Sequence, residues 1–384
     1  ASTGLPVPAR VSAVDTPVSA TVDAQGFYTL TVEAGPCTVV AMPLASGLRG
    51  RRIEGLSVPA DGALQQDIAL DAAPRLLLVD ADAWAAPQAQ AYGASLDALL
   101  YVYDVHALLT APDDVPSAAV LADYDIVIWA QPQRSPGFVG AWETLGSYLD
   151  GGGHLLISGQ NIAFWDDGQN RAPTAFRTYL HSEYVSSNAG LGALWGVEGG
   201  ALEGFVLRYA GAGSDGAQTD PDAIRLRSSA ARPLLRTSSG ETAALLADAC
   251  AYRAAYLTFG LEGVGLAERV HTLEVLLDAL WAERPPRAVS VTAPVLRQLA
   301  APGATAQYRL WVTNTGQVTD SYTFTIDSPW PARLLDAASQ LPIADSGALA
   351  PCATRELLVE VDVPRTAILS DAPLTRVMAH STLG

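Results

Sequence analysis

Three rhythms of apolar and polar positions follow one another along the chain. Over residues 1–73 apolar side chains alternate in short stretches: Thr21-Val22, Phe27-Tyr28-Thr29-Leu30-Thr31-Val32 and Cys37-Thr38-Val39-Val40-Ala41. Turn sequences separate them, Asp23-Ala24-Gln25-Gly26 and Glu33-Ala34-Gly35-Pro36. A two-residue period broken by such turns predicts a small β-sandwich.

From 75 to 283 the period changes. Arg75-Leu76-Leu77-Leu78-Val79-Asp80 is a continuous apolar run closed by an acid, the pattern of a strand buried on both faces. Helical spacing over 87–101 leads into a second strand at Tyr101–Val105, and Tyr124–Trp129 is a third. A helix over 138–150 stops at Gly151-Gly152-Gly153, before a fourth strand at His154–Gly159. Tyr256–Leu261 and a closing amphipathic helix, with Leu266, Val270, Leu273, Leu277, Leu280 and Trp281 on its apolar face, complete the segment. The Gly- and Ala-rich stretch from 184 to 250 reads as inserted strands and loops. Strands alternating with helices predict right-handed βαβ units and a mostly parallel sheet.

Glu283-Arg284-Pro285-Pro286-Arg287 reads as a stiff polar linker. Residues 288–384 return to alternation at Tyr308–Val312, Tyr322–Ile326 and Leu357–Val363. Thr313-Asn314-Thr315-Gly316 predicts a turn with a residue at positive φ.

Each segment also resembles a known family. Pro6-Val7-Pro8-Ala9-Arg10-Val11, Asp23–Tyr28, Gly35–Val39 and Gln66–Leu70 make the first similar to the carboxypeptidase regulatory-like domain, with Cys37 where that family usually carries an aromatic or small residue. That resemblance implies a structural or adhesive module without catalysis. Leu76–Asp82, Tyr124–Trp129, Gly151–Asn161 and Phe259–Gly263 make the second resemble the class I glutamine-amidotransferase-like, flavodoxin-like domain found inside large secreted peptidases. Pro302-Gly303, Val312–Gly316, Asp320–Tyr322, Trp330-Pro331, Leu349–Pro351 and Val361–Pro364 make the third similar to the NEW3-type immunoglobulin-like module, with Cys352 where that family usually has Gly. The order of the three resembles the non-catalytic region of a large secreted subtilisin-like serine peptidase.

Composition narrows the partners. The 384 residues hold 23 Lys+Arg against 40 Asp+Glu, a net charge of −17, and Lys is absent, so every one of those cations is Arg. That acidity argues against nucleic acid and anionic membrane surfaces. With no Lys, Schiff-base and P-loop chemistry are excluded. A GC-rich genome accounts for the missing Lys better than any functional reading, Met being as scarce as 2. No apolar run reaches membrane-spanning length and the first residues lack a signal-peptide pattern. The chain opens in what reads as mid-domain, predicting a piece of something longer. Cys37, Cys250 and Cys352 show no CxxC spacing, so three unpaired thiols are expected.

Catalysis is hard to place. A subtilisin-type triad needs Asp, His and Ser in separate motifs. None of His106, His154, His181, His271 and His380 stands in a His-Gly-Thr setting, and no Gly-Thr-Ser-Met-Ala occurs. The amidotransferase resemblance implies a Cys on the turn after a central strand and a later His. The matching positions are Ile157-Ser158-Gly159-Gln160-Asn161 and Phe259-Gly260-Leu261-Glu262, with neither Cys nor His. Ser158 is the remaining candidate nucleophile, and a tight turn of small residues explains it without catalysis.

Open α/β sheets bind ligands at their carboxyl edge, where Asp80, Asp82, Gln160, Asn161, Asp166, Asp167 and Glu262 are expected to gather. Their oxygens suit Ca²⁺, with Asp80, Asp82, Asp166 and Asp167 as its ligands. Capping of backbone amides by Asp80 and Asp82, and a solvated Asp166-Asp167 loop, are the competing readings. Trp129, Trp142, Trp195 and Trp281 are expected to be mainly core, with Trp165, beside Phe164 and Asp166, exposed and available to stack on sugar.

The expectation is a multidomain α/β plus all-β chain: 1–73 β-sandwich, 75–283 flavodoxin-like, amidotransferase-like parallel α/β sheet, 288–384 β-sandwich. Its expected function is a non-catalytic accessory or scaffolding segment of a secreted peptidase, extracellular or on the cell surface, whose partners are the other domains of the parent polypeptide. A cell-surface module binding polysaccharide or extracellular protein is one alternative. A diverged hydrolase at the carboxyl edge is another.

Overall fold

The two continuous apolar runs at 75–80 and 124–129 become neighbours in the middle of one sheet, because only there can both faces of a strand be buried. The computed structural model describes every residue except 1–3, 84–87, 111–112, 132–136, 188–191, 210–213, 215–217, 229, 294–296, 369–370 and 384. The chain divides into two compact units, Ala1–Trp281 and Ala282–Gly384. Both all-β and α/β arrangements are present, and no described helix is long and apolar enough to cross a membrane.

The first unit begins with β1 (Ala9–Ala13), β2 (Ser19–Thr21), β3 (Gly35–Pro43), β4 (Leu48–Arg49), β5 (Arg51–Val58) and β6 (Asp71–Ala72). Four of these form an antiparallel sheet in the order β2-β1-β3-β5. Phe27–Val32, expected as a strand, joins no ladder. Its alternation serves burial instead: Tyr28 and Leu30, with Ile68 and Leu70 from a second extended segment, pack on Val11, Val39 and Ala41. The Tyr28 hydroxyl donates to the Gln66 carbonyl at 2.7 Å, tying the two segments together. This part is fastened to the α/β part by Arg49, which donates to the Leu99 carbonyl at 2.7 Å, pairs with Glu274 at 3.0 Å and lies over the Tyr101 ring.

The α/β part runs β7 (Leu76–Asp80), α1 (Ala89–Ala98), β8 (Tyr103–Ala107), α2 (Ala118–Leu121), β9 (Ile126–Ala130), α3 (Trp142–Asp150), β10 (His154–Ser158) and α4 (Pro173–Leu180). There follow β11 (Ser182–Ser186), β12 (Ala193–Gly196), β13 (Val206–Arg208), β14 (Ala223–Leu226), β15 (Ala231–Arg236), β16 (Thr242–Ala249), β17 (Tyr252–Leu257) and α5 (Leu266–Trp281). The parallel strands stand in the order β8-β7-β9-β10-β17. Beyond β17 the sheet turns antiparallel through β16, β15, β12 and β13, with β14 pairing β16 and β11. Residue 87, at the start of the expected first helix, lies outside the described residues.

Helices cover both faces, so successive residues of one strand enter different cores. Leu76, Leu78, Ile126, Ile128 and Leu156 pack with α1 and α5. Leu77, Val79, Val127, Trp129 and Ile157 pack with α3 and α4. The buried stripe of α5 is rotated from the expected one: Arg269, Thr272 and Leu276 are buried, whereas Leu266 and Trp281 are 39% and 41% exposed. The rotation follows from Arg269, whose guanidinium finds three acceptors inside.

The second unit contains β18 (Val289–Thr292), β19 (Thr305–Asn314), β20 (Tyr322–Asp327), β21 (Ala332–Asp336), β22 (Thr354–Asp362) and β23 (Arg376–Ser381). The sheets β18-β19-β22-β21 and β20-β23 enclose Val312, Tyr322, Leu357, Val359 and Val361. At 313–316 no residue takes positive φ. Instead Asn314 holds the turn, its Oδ1 accepting from the Gly316 amide and its Nδ2 donating to the Val318 and Leu349 carbonyls. Gly316 is needed for space, since a Cβ there would stand 2.7 Å from the Pro286 carbonyl oxygen.

Cys37 is a half-buried free thiol, whereas Cys250 and Cys352 are disulfide-bonded, which corrects the expectation of three free thiols. Spacing motifs report only local bonding, so sequence carried no sign of it.

Candidate functional site

The parallel register aligns Asp80 with Ala130, Ala130 with Ser158 and Ser158 with Leu257. Strand ends therefore form one row, and the chain leaves each of them at the same level. Asp80 is spent on its own turn. Its Oδ2 accepts from the Gln88 and Ala89 amides at 2.8 Å each and its Oδ1 from Asp82 at 3.2 Å. These are among the amides a helix start leaves without intrahelical partners. One strand over, Gln131 accepts from Trp129 Nε1 and donates to the Phe138 carbonyl, both at 2.7 Å. Gln88 in turn donates to the Gln131 carbonyl at 2.9 Å.

Ser158 stands at the end of β10, wholly buried. Gly159 permits the elbow, because a Cβ there would lie 2.5 Å from Gln131 Cβ. Ser158 Oγ is 2.5 Å from the hydroxyl of Tyr92 on α1, and Tyr92 donates onward to Glu262 Oε2 at 3.2 Å. A phenol has one proton to give. With that proton on Glu262, the serine proton points at Tyr92, and the Leu261 amide supplies both oxygens with a further donor at 3.2 Å. Glu262 Oε1 accepts from Gln218 Nε2 at 2.9 Å, and Gln218 Oε1 accepts from the Gly260 amide at 2.7 Å. Arg269 fastens the base of the network, giving Nε to Ser95 Oγ at 2.9 Å and Nη1 to the Glu262 and Val264 carbonyls.

This arrangement is poor for nucleophilic catalysis. An activated serine needs a neighbouring base to take its proton. The partners of Ser158 are a backbone donor and a phenol whose pKa is driven well above its ordinary value, by burial first and by the Glu262 charge second. The histidines are engaged elsewhere. His106 bonds the Asp114 carbonyl, His154 accepts from the Arg253 amide, His181 bonds Ser228 and His271 lies against the Phe205 ring.

The remaining expected residues follow the turn after β10. Gln160 Oε1 accepts from the Thr219 and Asp220 amides at 2.9 Å, and Asn161 takes a left-handed φ of 65°. Asp167 accepts from the Tyr184 amide and pairs with Arg177 at 2.5 Å. Asp166 Oδ2 accepts from Trp142 Nε1 at 2.7 Å and from the Val139 amide, while its buried Oδ1 has no hydrogen-bond partner. Burial pushes Asp166 up to about 6. Asp222 is fully buried and receives the Phe164 amide at 3.0 Å; burial, then the charge of Asp220, push it up to about 7.

Of the four aspartates expected as Ca²⁺ ligands, Asp80, Asp166 and Asp167 thus each bond a different segment of backbone. Among the described residues no group of three or more His, Cys, Asp or Glu side chains is placed to hold a metal. Asp166 and Asp167 are buried, not a solvated loop. Trp165 is half-buried beneath Arg171, whereas Trp195 and Trp281 are exposed. A cavity of about 330 Å³ in this unit lies at the other end of the sheet, beside Arg75, Asp125, His154 and Trp281. Sequence reasoning missed Tyr92, Gln218, Asp222 and Arg269. Only Arg269, a charge interrupting the apolar stripe of α5, left a readable sign.

No known family model matches the chain, and no curated protein does. Among solved structures it is similar to the exo-β-1,4-mannosidase Op5Man5 from Opitutaceae bacterium strain TAV5, at 15% identity and a TM-score of 0.37, over 55% of this chain and 36% of that one. A protein from Thermoplasma acidophilum assigned as a GMP synthase subunit matches at 9% identity and a TM-score of 0.35, over 54% and 94% of the two chains. The exo-carrageenase GH42 from Bacteroides ovatus reaches 12% identity and a TM-score of 0.19, over 75% and 29%. The chain spans about a third of the mannosidase's length. Such low scores carry no argument about fold or activity.

Proposed function

We propose that the chain is a non-catalytic accessory and scaffolding segment of a secreted subtilisin-like serine peptidase, working through contacts with the parent's other domains. The observation that carries the first half of this reading is Ser158. The one side chain at the elbow able to act as a nucleophile is fully buried and committed to Tyr92 and the Leu261 amide. A polar network of this kind, with each member bonded to the next, rigidifies a fold and specifies it.

The strand order β8-β7-β9-β10-β17 supports a flavodoxin-like, amidotransferase-like sheet, in which the second strand in sequence precedes the first, third, fourth and fifth in space. The disulfide-bonded Cys250 and Cys352 support an extracellular setting, since disulfides persist mainly in oxidising compartments. The assignment to a subtilisin-like parent rests on the resemblance of the three modules and their order. Its test is the native polypeptide. Intact-mass analysis of the secreted protein should find a peptidase domain on the same chain, and deleting residues 1–384 should lower the yield of active peptidase. A mature protein without a peptidase domain overturns the assignment.

A further inference from the structure

The outer face of the β18-β19-β22-β21 sheet carries a groove that the function proposed above does not use. Along β19 burial alternates: Ala306, Leu310 and Val312 face the core, and Gln307, Arg309 and Trp311 face outward. The register with β22 sets Glu356 opposite Trp311 and Leu358 opposite Arg309. Gln307, Arg309, Glu356 and Leu358 line a cavity of about 660 Å³, with Gln298 and the turn after β21 completing it. That volume falls within the roughly 300–1,000 Å³ usual for small-molecule sites.

The charges in the groove cancel. Arg309 pairs with Glu356 at 2.7 Å and Arg355 with Asp336 at 2.8 Å, within a chain of net charge −17. A charged ligand would have to displace one partner of a pair, whereas an uncharged one leaves both pairs in place. Gln340 and the fork of Arg309 line the groove as planar, double-ended groups, while Gln307 and Gln298, whose Nε2 atoms donate to Glu360 at 2.7 Å and to the Gln307 carbonyl at 2.6 Å, keep their amide oxygens as acceptors. Two adjacent hydroxyls on a ring match that spacing. Beside them Trp311, 36% exposed, offers a flat apolar surface on the same face. An aromatic ring with polar groups at its edge suits a ligand with an apolar face and a polar rim.

We propose that this groove binds a neutral polysaccharide, one sugar ring stacking on Trp311 and its hydroxyls engaging Gln307, Arg309 and Glu356. The second unit would thereby attach the parent protein to a glycan surface.

The test is affinity electrophoresis of the full chain through native gels containing glucomannan, arabinoxylan or laminarin, with polygalacturonate as the acidic control. At least one neutral polymer should retard the protein and polygalacturonate should not. Trp311→Ala should weaken retardation about tenfold, Trp311→Phe should retain part of it, and Glu356→Gln should weaken it as well. Trp195→Ala and Trp281→Ala should leave it unchanged. Because Trp311 is at the surface, its variants should melt with the parent chain, which separates lost binding from lost folding. Absence of retardation by every neutral polymer, retardation by polygalacturonate alone, or binding that survives Trp311→Ala would overturn the proposal.

Discussion

Replacing Asp222 by Asn should stabilise the first unit at pH 8 and do so much less at pH 5. The carboxyl group is fully buried, and burial raises its pKa from the ordinary 3.8 to about 7. The folded chain therefore keeps a proton there that the unfolded chain has already lost. A raised carboxyl pKa gives stability that is complete below about pH 4 and is lost as pH rises to about 7. Each pH unit in that window removes about 1.4 kcal/mol, so the loss approaches roughly 4 kcal/mol above pH 7. Local opening around the carboxylate makes that figure a ceiling. The amide of Asn cannot ionise, and its carbonyl oxygen still accepts the Phe164 amide, which Asp222 holds at 3.0 Å. Other titrating groups cancel in the comparison between variant and parent, including His181, whose pKa burial lowers and whose contribution runs in the opposite direction. The assay is hydrogen exchange at the β10 and β17 amides, corrected for intrinsic rates, which reports opening of the first unit alone. Protection of the variant should exceed that of the parent chain at pH 8 by one to three powers of ten, about 1.4 kcal/mol each, and at pH 5 by no more than about one power of ten. A difference that is the same at both pH values would show that Asp222 is ionised throughout, refuting the reasoning.

Other outcomes follow from the same geometry. Tyr92→Phe removes the hydroxyl linking Ser158, Glu262 and the Leu261 amide, and should cost about 1–3 kcal/mol of stability in urea unfolding; a change below about 0.5 kcal/mol would show the network to be idle. In denaturant without reductant, thiol titration should find one reactive cysteine per chain, Cys37, and three after reduction. Three before reduction would remove the disulfide and with it that support for an oxidising compartment.

How far sequence could be read depended on whether the signal was local. β7 and β9 were plain because a strand packed on both faces must be apolar at every position, and Leu76–Asp80 is buried throughout. Phe27–Val32 misled because a two-residue period reports which side chains are buried, not whether the backbone has a ladder partner. α4 went unread: it is eight residues long and buries only Phe176 and Leu180, too little to establish a period. At the carboxyl edge the acids at strand ends were legible as a group. Their use was not, because Tyr92, Gln218 and Arg269 reach Ser158 and Glu262 from segments far apart in the chain. Nothing in a local pattern can show that a serine after a central strand has its proton directed at a buried phenol.

The most direct test of a non-catalytic chain is labelling with a fluorophosphonate, which reacts with activated serines. The purified chain of residues 1–384 and its Ser158→Ala variant would be incubated with the probe from pH 5 to 9 and weighed intact. Unchanged mass for both is expected, because Ser158 is buried and lacks a base. Labelling of the parent chain at Ser158, abolished in the variant, would contradict it.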